Sequence, residues 1–266
     1  MTLNRSSRIA LAGITFGVLA LIYLPLLIVV ANSLNPSQSM TWPPAGVTVE
    51  WWERAWHSVG AREALVTSLQ VAVIATVLAL VLGTLLALAL QRYSFFGKNA
   101  VNLLVILPIA LPGVVTGIAL NNGFRGILGV DLSIWTIVVA HATFCIVTVF
   151  NNVQARLRRL GTTFEEASAD LGAGLFTTFR LVTLPQLRSA LLAGGMLAFA
   201  LSFDEIIVTT FTAGGGTNTL PIWILNNMFR PNQAPVVNVV AVVLIAFSVV
   251  PVWLAQRLSA DVEGVR

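Results

Sequence analysis

The chain has 266 residues, of which 57% are hydrophobic and 10% charged, where a soluble globular domain carries about 25% charged residues. So few charges cannot cover a surface that faces water, which excludes a soluble globular protein and calls for lipid on the outside. The net charge of +4 sits in short loops between apolar runs, as it does where basic residues set membrane topology, and no basic stripe or aromatic RNA-binding motif marks a nucleic-acid partner.

Six apolar stretches reach the ~20 residues needed to cross a bilayer. In chain order they are Ile9–Ala31, Val66–Leu90, Val101–Leu120, Leu132–Gln154, Ser189–Thr212 and Val236–Leu254. Arg5 and Arg8 precede the first, as they would a signal peptide, but its apolar run is too long for one. It is expected to be a retained span, and Pro25 within it is tolerable in a membrane helix. The segment Asn32–Leu65 follows, with Trp42, Trp51, Trp52 and Trp56. These residues suit the membrane–water interface, either as a surface-lying anchor or as a docking surface for an external partner. Gly13 and Gly17, and Gly113 and Gly117, have the four-residue spacing that permits close helix contact in lipid.

Loop charges orient the chain. With the N-terminus inside, inner segments hold Arg5, Arg8, Arg92, Lys98, Arg156, Arg158, Arg159, Arg180, Arg188, Arg257 and Arg266, and outer segments hold only Arg54, Arg62, Arg125 and Arg230. This bias predicts cytoplasmic N- and C-termini. Gly214–Gly216 lies on the outer side before the last span. No Gly-Lys-Ser/Thr follows it, so it is a flexible turn and not a phosphate loop. Cys145 stands alone in an apolar run and reads as a small buried residue. His57 and His141 show no ligand spacing, so no metal site and no catalytic constellation are expected.

The long inner loop, Arg156–Arg188, is not built like a linker. Thr163 stands three residues before Glu166, a capping-box arrangement that predicts a helix from about Phe164. It runs through Glu165, Glu166, Ala167, Ser168, Ala169, Asp170 and Leu171. Gly172 and Gly174 permit a sharp turn there. A second short helix over Phe176–Leu181 is predicted to end at Pro185. A helix–glycine–helix patch with small and acidic residues suits a groove in another protein, although a self-contained amphipathic loop has the same composition.

Here the sequence resembles a family. Glu166-Ala167-Ser168, three residues, Gly172, nine residues and Val182-Thr183-Leu184-Pro185 resemble the EAA loop of bacterial ABC importer permeases, whose pattern is Glu-Ala-Ala, three residues, Gly, nine residues and Ile-x-Leu-Pro. Ser168 replaces the second Ala and Val182 the Ile. The resemblance implies an all-α integral membrane protein of six transmembrane helices with the type I ABC importer (MetI-like) permease fold. It implies one permease domain over 1–266, with 156–188 as a cytoplasmic coupling loop against the ATP-hydrolysing subunit. Glu166, Ala167 and Gly172 would be contact and hinge positions, and Glu165, Ser168, Leu184 and Pro185 would complete the coupling set. The chain has no Walker-type segment, so ATP and Mg would be bound by a partner ATPase and this chain would be no enzyme and carry no cofactor.

Asp204 and Glu205 stand inside the fifth span. Intramembrane carboxylates are costly and usually face a cavity or a partner. The residues alone allow a cation-attracting site, as for the ammonium groups of a polyamine, or an inter-subunit polar network. Because adjacent helical residues point about 100° apart, only one would face a pore directly. Leu201–Phe211, Thr219-Leu220-Pro221-Ile222-Trp223 and Pro235 to Asn238 resemble the C-terminal region of the spermidine/putrescine permease C-type subunits. Relatives that import putrescine, 4-aminobutyrate or aminoethylphosphonate share this likeness.

The resemblance implies a polyamine-type solute held by Asp204, Glu205 and Ser202, and import by alternating access across the bacterial cytoplasmic membrane. The implied partners are a second homologous permease, two ATPase subunits and an external solute-binding protein. A secondary transporter would instead need coupling-ion residues and inverted repeats with broken helices. Intramembrane proteolysis would need a Ser–His pair or aspartates on two spans, and Asp204 has no such second aspartate.

Overall fold

The computed structural model describes residues 4–247, and all regular structure among them is helical. In chain order the helices are α1 (Arg5–Ser33), α2 (Glu50–His57), α3 (Val59–Arg92), α4 (Lys98–Ala110), α5 (Gly113–Asn122), α6 (Ile134–Leu160), α7 (Thr163–Asp170), α8 (Leu175–Thr178), α9 (Leu184–Phe203), α10 (Ile207–Thr212) and α11 (Leu220–Asn227), with Ala234–Phe247 as α12. Among the described residues, α1, α3, α6 and the run Leu175–Phe203 that joins α8 to α9 are each long and apolar enough to cross a membrane, and α4 with the run Gly113–Ile127 makes a fifth if the bent pair is one span. The sixth expected span, Val236–Leu254, begins in α12. Its residues beyond Phe247, together with Arg257 and Arg266, lie outside the described residues.

Two expected spans are not straight. The third bends by 107° between α4 and the helical run Gly113–Ile127. Pro112 accounts for the turn: a residue before proline avoids helical angles, and Leu111 is extended at φ −83° and ψ 144°. The fifth stops at Phe203 and restarts at Ile207, so Asp204 and Glu205 stand in a break and the helical-wheel argument for them does not hold.

The chain groups into two units, residues 4–62 with 224–247 and residues 63–223. In the first, none of the apolar window of α1 is buried, and side chains such as Phe16 and Leu21 are open to the surroundings. Such a helix needs an apolar solvent. The segment after it folds on Asn35. The Asn35 side-chain amide donates to the Thr41 carbonyl at 3.0 Å, its carbonyl oxygen accepts from the Ser37 amide at 3.0 Å, and its backbone carbonyl accepts from Trp51 Nε1 at 2.8 Å. Trp51 is therefore buried, while Trp42 and Trp56 are exposed.

In the second unit α6 is central. Cys145, Val149, Phe150, Val153 and Leu157 pack with Ala79, Ala87 and Leu88 of α3 and with Leu187 and Ala198 of α9. The Cys145 thiol donates to the Ala198 carbonyl at 3.3 Å, as suits a buried residue. Backbones approach closely where side chains are missing: a Cβ on Gly83 would lie 2.9 Å from the Ile146 carbonyl, and one on Gly117 would lie 2.7 Å from Phe211 Cδ2. A Cβ on Gly113 would make an ordinary contact with Ile207 of α10 at 3.4 Å, whereas Gly13 and Gly17 have no neighbour within 4 Å among the described residues. Gly214, expected as part of a flexible turn, is packed against the Leu132 carbonyl with no room for a side chain.

Candidate functional site

The loop after α6 is a folded pair of helices. No capping box forms at Thr163: α7 begins at that residue, Thr162 is its N-cap, and no side chain caps it. The Thr162 carbonyl, and not the Thr163 hydroxyl, accepts the Glu166 amide at 2.9 Å. At the other end Gly172 has φ +81°. Its amide donates to Ala169 at 2.8 Å and the Ala173 amide to Ser168 at 3.1 Å, the paired bonds of a Schellman stop. The glycine thus fixes a reversal of direction that a side chain at positive φ would strain. Ser168 and Thr178 hydroxyls, 2.9 Å apart, tie α7 to α8.

Pro185 does not end the second loop helix. A π-helical turn, Phe179–Thr183, carries α8 straight into α9. Pro185 occupies the first turn of α9, where a missing amide is least costly. Leu184 and Pro185 are thus the base of a membrane helix.

The two adjacent acids of α7 differ in surroundings. Glu165 Oε1 accepts from Arg92 at the end of α3 at 2.5 Å and from the Thr183 hydroxyl at 2.6 Å. Partial burial pushes the Glu165 carboxyl up, but the hydrogen bonds from Arg92 and Thr183 and the Arg92 charge outweigh it and hold the group below the usual glutamate range. Glu166 and Ala167 are exposed beside it. So are Phe164, Leu171, Leu175 and Phe176, with Leu171 at 89%.

The second cluster lies at the break. The Asp204 amide closes α9 on the Ala200 carbonyl at 3.2 Å, and its exposed carboxylate makes no ion pair among the described residues. The Glu205 carboxylate accepts from the Val208 amide at 2.8 Å and so ties the break to the first turn of α10. Ser202 is buried and its Oγ lies 2.8 Å from His141 Nδ1.

Residues 79–264 match the family described as "Binding-protein-dependent transport system inner membrane component". The chain belongs to this family. It is 33% identical over 255 residues to the spermidine/putrescine transport system permease protein PotC of Escherichia coli (strain K12), covering 96% of this chain and 95% of that one. It is 32% identical over 265 residues to the putrescine transport system permease protein PotI of the same organism, covering 97% and 92%. Among solved structures, a bacterial ABC transporter that imports the acidic polysaccharide alginate matches with TM-score 0.73 at 17% identity, covering 98% of this chain and 99% of that chain. The MetNI methionine ABC transporter matches with TM-score 0.61 at 19% identity, over 79% and 98%. These two likenesses speak for the fold.

The binding-protein-dependent permease is thus the membrane subunit of an ABC importer, a transport component of the inner membrane and not an enzyme. Membership of the family implies ATPase and permease partners, with nucleotide handled by the ATPases.

Within this permease the structure gathers Glu165, Glu166, Ala167, Ser168 and Gly172 in one compact loop, with Leu184 and Pro185 leading out of it. Asp204, Glu205 and Ser202 fall at one helix break. Sequence reasoning missed Arg92, Thr183, His141 and Thr209. Arg92 was legible only as a loop charge. His141 had no ligand spacing, because its partners Ser202 and Thr209 lie 61 and 68 residues away.

Proposed function

We propose that this permease imports a small amine cation, a polyamine such as putrescine or spermidine, and that Asp204 meets its ammonium group. The observation that carries the reading is the exposed Asp204 carboxylate at a helix break, without a counter-ion among the described residues. Glu205 is occupied in its tie to the first turn of α10 and Ser202 in its contact with His141, so both serve the geometry of the site around Asp204. The curated relatives named for spermidine and putrescine support the same class of solute.

Residues 156–188 act, in this reading, as the coupling loop on the cytoplasmic face. The excess of basic residues on the inner segments supports that orientation, with both termini inside. The exposed set Glu166, Ala167, Leu171, Leu175 and Phe176 is the surface an ATPase cleft would grip: apolar groups to bury and a carboxylate to pair. Glu165 faces the chain's own Arg92 and passes the load inward. The whole importer pairs this chain with a homologous permease, two ATPase subunits that bind ATP and Mg, and an external solute-binding protein, and it works by alternating access between two packings.

The test is uptake of labelled putrescine in cells. Asp204→Asn keeps the shape and removes the charge. A charged hydrogen bond contributes about 1.5–3 kcal/mol, so uptake should fall roughly ten- to a hundredfold with the subunit still in the membrane. Normal uptake would refute the ammonium reading. Glu166→Ala and Gly172→Leu should each abolish uptake without loss of the protein, and normal uptake in both would refute the coupling assignment.

A further inference from the structure

Nothing in Leu201-Ser202-Phe203-Asp204-Glu205-Ile206-Ile207 explains the break between α9 and α10, since the segment holds neither proline nor glycine. A residue of α6 bridges it. His141 is fully buried, with Nδ1 2.8 Å from Ser202 Oγ and Nε2 2.8 Å from Thr209 Oγ1. Ser202 precedes the break and Thr209 follows it. Seven residues of straight α-helix would separate them by about 10 Å along the axis. One five-membered ring with two 2.8 Å contacts spans less than that, and a shortened segment brings the two hydroxyls within its reach. The ring holds one hydroxyl on each side of the interruption.

The hydrogen bonds also have a direction. The Thr209 hydroxyl donates its one proton to the Glu205 carbonyl at 3.0 Å, so toward His141 it can only accept. In the neutral ring with its proton on Nε2, Nε2 donates to Thr209 and Nδ1 accepts from the Ser202 hydroxyl. The chain Ser202 O–H to Nδ1, Nε2–H to Thr209, and Thr209 O–H to the Glu205 carbonyl is complete, with each donor used once. It ends on the backbone of the residue beside Asp204. A further bond, from the Val208 amide to the Glu205 carboxylate, closes the start of α10.

We propose that His141 is a positioning residue that clasps α9 to α10 across the break and thereby sets where Asp204 stands. The claim that this matters for solute rests on the ammonium reading above; the clasp itself does not.

The experiment uses the assembled importer in lipid nanodiscs, with Cys145→Ala and nitroxide labels at Leu201→Cys and Thr210→Cys. Both sites are exposed and flank the break. Continuous-wave electron paramagnetic resonance should show a separation shorter than the roughly 13 Å of a straight nine-residue helical run. In His141→Ala the separation should lengthen toward that value or broaden. His141→Gln, which can still donate to Thr209, should restore part of the short distance. Ser202→Ala and Thr209→Val each remove one arm, and these small changes decide the matter if His141→Ala fails to assemble. A short, narrow distance in every variant that assembles overturns the proposal.

Import of labelled putrescine by the same complexes should fall about tenfold in Vmax, the loss of about one buried hydrogen bond. KM, set by the delivering binding protein, should stay unchanged. Unaltered Vmax beside an altered distance would overturn the positioning role. If instead Asp204→Asn imports normally, the ammonium reading fails by itself and the distance measurement still judges the clasp.

Discussion

Glu165 and Glu166 are neighbours in different surroundings, and the Arg92 contact of Glu165 can be followed by titration. The Glu165 carboxyl is held below the ordinary glutamate value by Arg92 and Thr183 against the opposing effect of partial burial. A group whose pKa is lower when folded adds stability above the unfolded value, about 4.3 for glutamate. That stability is lost as pH falls through the lower folded value. The tie from α7 to α3 should therefore persist down to mildly acidic pH and open below the usual glutamate range. The carboxyl carbon-13 shift of Glu165 should report a midpoint under that range. A midpoint at or above it would show that the Arg92 contact does not form. At this scale the sequence carried the acids themselves, Glu166 by its spacing to Gly172 and Asp204 by its rarity in an apolar run. It could not carry His141, whose role depends on two hydroxyls distant in the chain.

The helices divide into those whose ends are written locally and those that are not. Pro112 turns the third span, and Gly172 stops α7 at a positive φ. Both residues are visible in the sequence. The break at Asp204 has no proline or glycine in it, and a residue of another helix bridges it. Pro185 misled in the opposite way: a proline in the first turn lets a helix begin, and the upstream π-helical turn absorbs the mismatch.

The joint between α7, α3 and the base of α9 allows a charge-exchange test. Arg92→Glu and Glu165→Arg should each slow transport. The double exchange should recover it, with an interaction energy of roughly 1 kcal/mol, about fivefold in rate. Absence of recovery would mean that the two residues act separately. Close helix contact makes another prediction. Gly83→Val drives a side chain onto the Ile146 carbonyl, and such overpacking costs typically ~1–3 kcal/mol. Thermal unfolding in detergent should show a lower midpoint, and an unchanged midpoint would mean that α3 and α6 stand further apart.

For the molecule as a whole, composition was the most informative signal. So few charges required lipid, and α1, with no buried residue in its apolar window, bears this out. The number of spans was nearly legible, since length and hydropathy depend on local sequence alone. The division of contacts into two units was not, because packing partners lie far apart in the chain. A permease with no nucleotide motif should be idle by itself: vesicles holding the complex without its ATPases should accumulate no labelled putrescine, and accumulation there would point to a self-sufficient transporter.

The uninterrupted run Leu175–Phe203 joins the loop to the break without a joint at Pro185. Its 29 residues make a rod about 43 Å long at 1.5 Å per residue. Rods of that length act as levers. A tilt of about 5° at the loop end swings the tip beside Asp204 by roughly 4 Å, on the scale of one helical turn. If a small rotation is imposed at the loop end, it reaches the Asp204 carboxylate enlarged by the length of the rod.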